Sequence, residues 1–198
     1  MPVADYSEIQ ENITEQDAVD PEELQNIFKK SPGELRSLMR RSRTWFAEQA
    51  EQLQTLTSGY TAVSSGYLSP TSTASPGSMI LFKYLPKTRE KLPYWDMYPL
   101  VLPFGRFNQG FIGLNFHYVD YYSRLRLFKV LTNYANSSEL TKRTRLNVTW
   151  NTIEAVGKQS AHECVHKYLY SQIRSPIKSI HPRDWTTALT LPWESFQK

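Results

Sequence analysis

Residues 79–118, MILFKYLPKTREKLPYWDMYPLVLPFGRFNQGFIGLNFHY, constrain this chain more than any other stretch. Over 79–85 the side chains alternate, with Ile80, Phe82 and Tyr84 opposite Leu81, Lys83 and Leu85, which is the period of a strand. Residues 86–93 form a basic turn, because Pro86 and Pro93 each remove a ladder donor and fix φ. A second strand is expected over 97–104, where Pro99 and Pro103 predict a short or edge position. Residues 107–111 read as a hairpin turn in which Gly110 supplies a positive φ. A third strand follows over 111–118, with Phe111, Gly113, Asn115 and His117 opposite Ile112, Leu114, Phe116 and Tyr118. Three antiparallel strands this rich in aromatics predict a small antiparallel sheet or partial barrel that other elements must cover.

The 198 residues leave room for one ordinary domain plus tails. Mean hydropathy is −0.51, so much of the chain is solvated despite a 40% apolar content. Cys164 is the single cysteine, which excludes an internal disulfide and a multi-cysteine metal cage. No run of 18 apolar residues is present and the N-terminus lacks a signal-peptide pattern, so a soluble protein of a reducing compartment is expected. The net charge of +4 conceals an asymmetry. Residues 1–30 carry eight acids and two lysines, a net of −6, and the remainder carries 21 bases and 11 acids, a net of +10. A basic body suits an acidic partner such as nucleic acid, although ordinary surface charge has the same composition.

Residues 1–30 are an acidic arm: 1–19 are polar and poor in large apolar side chains, as in a disordered or a docking segment, and Asp20 and Pro21 can cap and open a short helix over 21–24. A helix is expected from Ser31, with Ser31 as cap, Pro32 at the first position and Glu34 completing a capping box. Leu35, Leu38, Met39, Phe46, Ala50, Leu53 and Leu56 recur along it at helical spacing to residue 57. Its other side carries Arg36, Arg40 and Arg43, with Arg41 adjacent. Arginine binds phosphate bidentately, so these four are candidate DNA contacts; a solvated face paired with Glu34 and Glu48 is the alternative. Residues 58–78 are a Ser/Thr/Gly/Pro linker, long enough to argue that the helix is a separate module.

Residues 79–198 form the α+β body, strands first and helices after. Asp120 is expected to cap a helix from 121 to about 134 that buries Leu125, Phe128, Leu131 and Ala135 and leaves Arg124, Arg126 and Lys129 to snorkel or face solvent. Lys142, Arg143 and Arg145 form a second basic cluster ahead of a short strand at 146–150. Residues 152–156 read as a helical turn, 162–173 as a helix with Val165, Leu169 and Ile173 inward, and 175–180 as a strand. A last short helix opens at 181–185, and 191–193 anchor the end of the chain.

The sharpest chemical motif is His162-Glu163-Cys164-Val165-His166. On a helix its two histidines share one side and suit Zn²⁺, with Glu163 activating water. Only His181 or Glu194 offers a third ligand, so a zinc hydrolase is a remote alternative and no metal or other cofactor is expected. Cys164 has no base placed by sequence alone. Carboxylates suited to two-metal chemistry are sparse, with Glu90 and Asp96 alone in the sheet block. No catalytic residue is assigned. Aromatics interleaved with Lys87, Arg89 and Lys91 suit either a single-strand stacking platform or the cover of a small sheet.

Residues 82–101, FKYLPKTREKLPYWDMYPLV, resemble the pattern Y-x-P-K-T-K-x-x-L-P-Y-Y-D-x-F-P-L, and GFIGLNFHY at 110–118 is similar to G-F-x-G-L-N-x-H-Y-L. Both patterns belong to a virion-protein family of T-even-like tailed phages and cyanophages known as DNA end protectors. Thr44-Trp45-Phe46 and the ending from Trp185 through Ala188, Leu189, Leu191, Pro192 and Glu194 to Phe196 are similar too, so the likeness runs from about 42 to 196. Glu163 and His166 depart from the family's pattern around the cysteine, as Val119-Asp120 does after His117-Tyr118. The resemblance implies a non-enzymatic virion protein, assembled in the host cytoplasm, that acts in head and neck completion and shields packaged DNA ends. It also implies other phage virion proteins as partners and multiple copies in a symmetric assembly. The alternative is a purely structural tail, neck or baseplate protein without a DNA-end role. Phosphate contact would fall to Arg36, Arg40, Arg41, Arg43, Lys87, Arg89, Lys91, Lys142, Arg143 and Arg145.

Overall fold

The computed structural model describes residues 29–60, 78–92, 95–121, 123, 124, 127 and 164–192. Its architecture is α+β: an N-terminal helix, an open five-stranded antiparallel sheet and a short C-terminal helix. The expectations for the arm at 1–28, most of the linker (61–77), the strand at 146–150 and the turn at 152–156 lie outside the described residues.

Helix α1 spans Pro32–Tyr60, three residues beyond its expected end. The capping box forms as the sequence predicts. The Ser31 amide donates to Glu34 Oε2 at 2.7 Å, and the Glu34 amide donates to Ser31 Oγ at 3.4 Å. Leu38 and Leu53 are buried in the same core cluster as Leu81, Leu102, Leu114 and Trp185. The Ser42 hydroxyl, also buried, donates to the Thr187 carbonyl, and the Lys178 ammonium donates to Gln49 and Gln52. So α1 packs into the body instead of standing off from it as a separate module.

The strands are β1 (Met79–Leu81), β2 (Leu100–Phe107), β3 (Gly110–Asn115), β4 (Val165–Leu169) and β5 (Lys178–Ile180), in the order β4-β3-β2-β1-β5. β1 ends earlier than expected, although Tyr84 still bridges Ile173. The second strand lies three residues later than predicted and in the centre of the sheet, contrary to the edge expectation. Pro103 is tolerated there because the register shifts between Pro103 and Gly105, and a bulge relieves the missing donor. Asn108 and Gln109 close the hairpin between Phe107 and Gly110. Gly110 is needed for close approach, not for positive φ: a Cβ there would stand 1.9 Å from the Tyr168 carbonyl oxygen.

The expected helix over 162–173 is overturned. Val165–Leu169 is β4, paired with β3 from Gly110↔Leu169 to Leu114↔Val165, and Tyr170–Gln172 is a 3-10 turn. Apolar residues four apart satisfy a strand's even period as well as a helix's, and the nonlocal ladder decides. The expected strand at 175–180 is present as β5, and the last helix as α2 (Trp185–Leu189), preceded by a 3-10 turn at Pro182–Asp184.

Alternation splits the core in two. Met79, Leu81, Leu100, Leu102 and Leu114 join the cluster under the helices. Ile80, Phe82, Tyr84, Val101, Phe111, Tyr168 and Ile173 form a second, aromatic cluster on the opposite face. In a flat sheet β1 and β4, three strands apart, would be about 14 Å from one another. Yet the Phe82 and Tyr168 ring centroids are 5.3 Å apart, those of Tyr84 and Tyr168 are 5.1 Å apart, and the Leu169 amide donates to Tyr84 Oη at 3.3 Å. The sheet therefore curls around its aromatic face. The bulge in β2 supplies bend, and Gly113 lets β3 close on Val101, whose Cγ1 would be 2.3 Å from a Cβ at 113. Sealing comes from the chain between β4 and β5, where the Leu85 amide donates to the Gln172 carbonyl at 3.0 Å and the Arg174 amide to the Lys83 carbonyl at 2.8 Å.

Candidate nucleic-acid interface

Arg36, Arg40 and Arg43 stand at i, i+4 and i+7 on α1, so at 3.6 residues per turn they share a sector of roughly 60° and a length of about 10 Å. All three are exposed, as is Arg41. Leu35, Leu38, Ser42, Phe46 and Leu53 occupy the side of the helix that faces the body. Anchoring on one side thus fixes the arginines outward on the other. Glu34 does not pair with them: its carboxylate is held in the capping box, and Ser31, through its hydroxyl and then its amide, lowers the Glu34 pKa. Nor does Glu48, and none of the four arginines makes an ion pair with a described residue. Like charges at i, i+4 cost a helix a few tenths of a kcal/mol each, roughly, so the stripe is maintained at some expense. The second half of α1 has the opposite character, with Glu48 and Glu51 exposed and no basic residue.

The turn after β1 is the second basic group. Arg89–Lys91 is a 3-10 turn closed by the Lys91 amide on the Thr88 carbonyl at 2.9 Å. Its base is tied by the Tyr84 amide to the Met97 carbonyl at 2.8 Å. Lys87, Arg89 and Lys91 are all exposed on it. Lys142, Arg143 and Arg145 lie outside the described residues.

The sequence pattern puts His117 on the third strand and Asp96 among the sparse carboxylates of the sheet block. The structure joins them. Asp96 Oδ2 lies 2.6 Å from His117 Nδ1 and accepts from Asn115 Nδ2 at 3.1 Å, while Oδ1 accepts from the Tyr98 amide at 2.9 Å. Asn115 Oδ1 accepts from the His117 amide at 2.9 Å. Phe46 of α1 meets the His117 ring edge-on at 5.3 Å. Asp96, Asn115 and His117 are all buried, and through the Phe46 contact this group lies directly under α1. The Tyr168 hydroxyl extends it toward the aromatic face. Burial pushes that hydroxyl well above the ordinary tyrosine range, Asp96 and Tyr118 add to the shift, and a hydrogen bond with Asn115 opposes it.

Other sequence candidates are dispersed. His166 lies in β4, so the helical i, i+4 geometry of the zinc reading does not run through it; His162 and Glu163 lie outside the described residues. Cys164 is buried, its thiol donating to the Tyr118 carbonyl at 3.1 Å. Among the described residues no group of His, Cys, Asp and Glu side chains is arranged to hold a metal ion. Phe82 and Tyr84 are interior, which removes them from any stacking platform.

Arg124 also departs from expectation. Predicted at the surface, it is fully buried in the helical turn that starts at Tyr121, where Asp120 Oδ1 accepts from the Ser123 amide at 3.0 Å. Its Nη1 donates to the Leu191 carbonyl, and its Nε and Nη2 have no partner among the described residues. Desolvation lowers its pKa to about 10, which still leaves it charged at neutral pH. No sequence signal marks it, because its neighbour across the fold is 67 residues away.

A sequence model described as Phage T4 terminal DNA protecting protein matches residues 23–198 of this chain. No curated protein and no solved structure matches.

Proposed function

From the premise that this chain belongs to the phage T4 terminal DNA protecting protein family, we propose that its exposed basic residues grip the phosphates of packaged DNA at a terminus. Arg36, Arg40, Arg41 and Arg43 on α1 form the main contact. Lys87, Arg89 and Lys91 on the turn after β1 contribute, as do Lys142, Arg143 and Arg145. The observation that carries this reading is the arginine stripe: turned outward by the packing of α1 on the body, exposed and without acidic partners among the described residues. Phosphate contacts carry no sequence information, which suits a protein that must accept an end whatever its bases. Occupying the terminus denies an exonuclease its entry point without any chemistry by the protein, so the role is non-enzymatic. Its place is the virion, at head and neck completion, in several copies among other virion proteins.

The test is a titration of linear and covalently closed duplexes at several salt concentrations, alongside exonuclease protection. If only the α1 arginines engage, log K should fall against log salt with a slope of about −4; adding the turn steepens it to about −6. Linear DNA should bind more tightly and its ends should be protected. A flat salt response, or equal binding to closed circles with no protection, would refute the reading and leave a structural joint of the tail, neck or baseplate.

A further inference from the structure

The arginine stripe begins five residues after Ser31, where the described helix is capped, and the 28 residues at the start of the chain hold eight acids and not one base. Seven of those acids, Asp5, Glu8, Glu11, Glu15, Asp17, Asp20 and Glu22, precede the segment that the family model matches. Two runs of unlike charge are thus neighbours in sequence, and the cationic one has no acidic partner among the described residues. We infer that the acidic N-terminal segment is an internal competitor for the arginine stripe on α1, occupying it until DNA displaces it. This rests on the stripe being the phosphate-binding surface.

Three physical considerations support the contact. Reach sets no limit, because 28 residues span up to roughly 90 Å when extended and the stripe is only about 10 Å long. Tethering gives the segment an effective concentration on the order of millimolar, so a contact too weak to survive between separate molecules persists within one. Charge selects the site: carboxylates are drawn to the arginines and are repelled by the exposed Glu48 and Glu51 further along α1. The consequence for binding is selective. A lone duplex stretch that offers few phosphates would not repay displacement of the segment, whereas an extended contact engaging the stripe and the turn together would.

The experiment uses the full chain with the seven carboxylates neutralised (D5N, E8Q, E11Q, E15Q, D17N, D20N, E22Q) and a fluorescent synthetic peptide of residues 1–22. The peptide should bind this variant at low salt, should bind the unmodified chain on the order of tenfold more weakly because its own segment competes, and should be released near 0.5 M salt, roughly, where screening is nearly complete. Adding R36Q, R40Q and R43Q should abolish peptide binding, while K87Q, R89Q and K91Q should leave it. Absence of peptide binding, or binding indifferent to the α1 substitutions, overturns the inference. Duplex DNA should then displace the bound peptide. Peptide binding without displacement would sustain the contact and defeat the DNA reading. DNA binding without peptide binding would do the reverse.

Discussion

The two faces of the curled sheet are built on different principles. One is aliphatic and is closed by helices: Leu81, Leu102 and Leu114 meet Leu38 and Leu53 of α1 and Trp185, Ala188 and Leu189 of α2. The other is closed by the sheet's own curvature around Phe82, Tyr84, Phe111 and Tyr168, whose rings meet mostly edge-on at 5.1 to 6.1 Å. A helix-covered face can loosen by undocking its cover. The aromatic face has no such partial step, since opening it means uncurling strands. The arginine stripe is mounted on the face that can loosen, and its seat is the Phe46 contact with His117.

Substitutions can break or sharpen this contrast. Phe82→Ala, in the centre of the ring cluster, should cost about 4 kcal/mol and lower the single unfolding midpoint seen by denaturant titration. Leu53→Ala on the other face should cost about 3 kcal/mol, and amide exchange should quicken first along α1, with the strands keeping their protection. Equal acceleration in α1 and β3 would show one indivisible core and remove the distinction. Gly110→Ala should cost about 2–3 kcal/mol, because its Cβ meets β4 backbone that can yield only by separating the strands. Gly113→Ala should cost less, since its nearest obstacle is the Val101 side chain.

A smaller effect separates the faces by pH. The buried Tyr168 has its pKa raised in the folded state, so above about pH 10 the unfolded chain loses a proton that the folded chain keeps. Stability contributed this way is intact below that pH and declines as pH rises through it. An alkaline melting series should show the decline, and Tyr168→Phe should flatten it. The smallest effect lies at the start of α1. Glu34 has its pKa lowered by Ser31, so the capping box contributes above the ordinary carboxylate range and is lost as pH falls through the folded value. Ser31→Ala should remove that acid dependence from the helix signal in circular dichroism.

Local rules were legible where partners are near in sequence. The capping box, the Asn108-Gln109 hairpin and the alternation of Ile80, Phe82 and Tyr84 against Leu81 all follow from neighbours within a few residues. The misread places have distant partners. Val165–Leu169 looks helical until β3 supplies its ladder, and Arg124 looks exposed until Leu191 meets it. Pro103 signals an edge until a bulge accommodates it centrally. For the candidate interface, charge and spacing on α1 were readable, whereas the docking of α1 was hidden by the distance between Ser42 and Thr187.

β1 is paired on one side to Leu100 and Val101, about 20 residues on, and on the other to β5, which lies roughly 100 residues further along. Translation at 5–20 residues per second, roughly, therefore separates the two pairings by about 4–16 s. During that interval the nascent chain can form its hairpin and bury one edge of β1, while the other edge waits in the open. Residues 178–180 complete the pairing of the first strand of the sheet, so a product truncated before them exposes a sticky edge that only the longer chain closes.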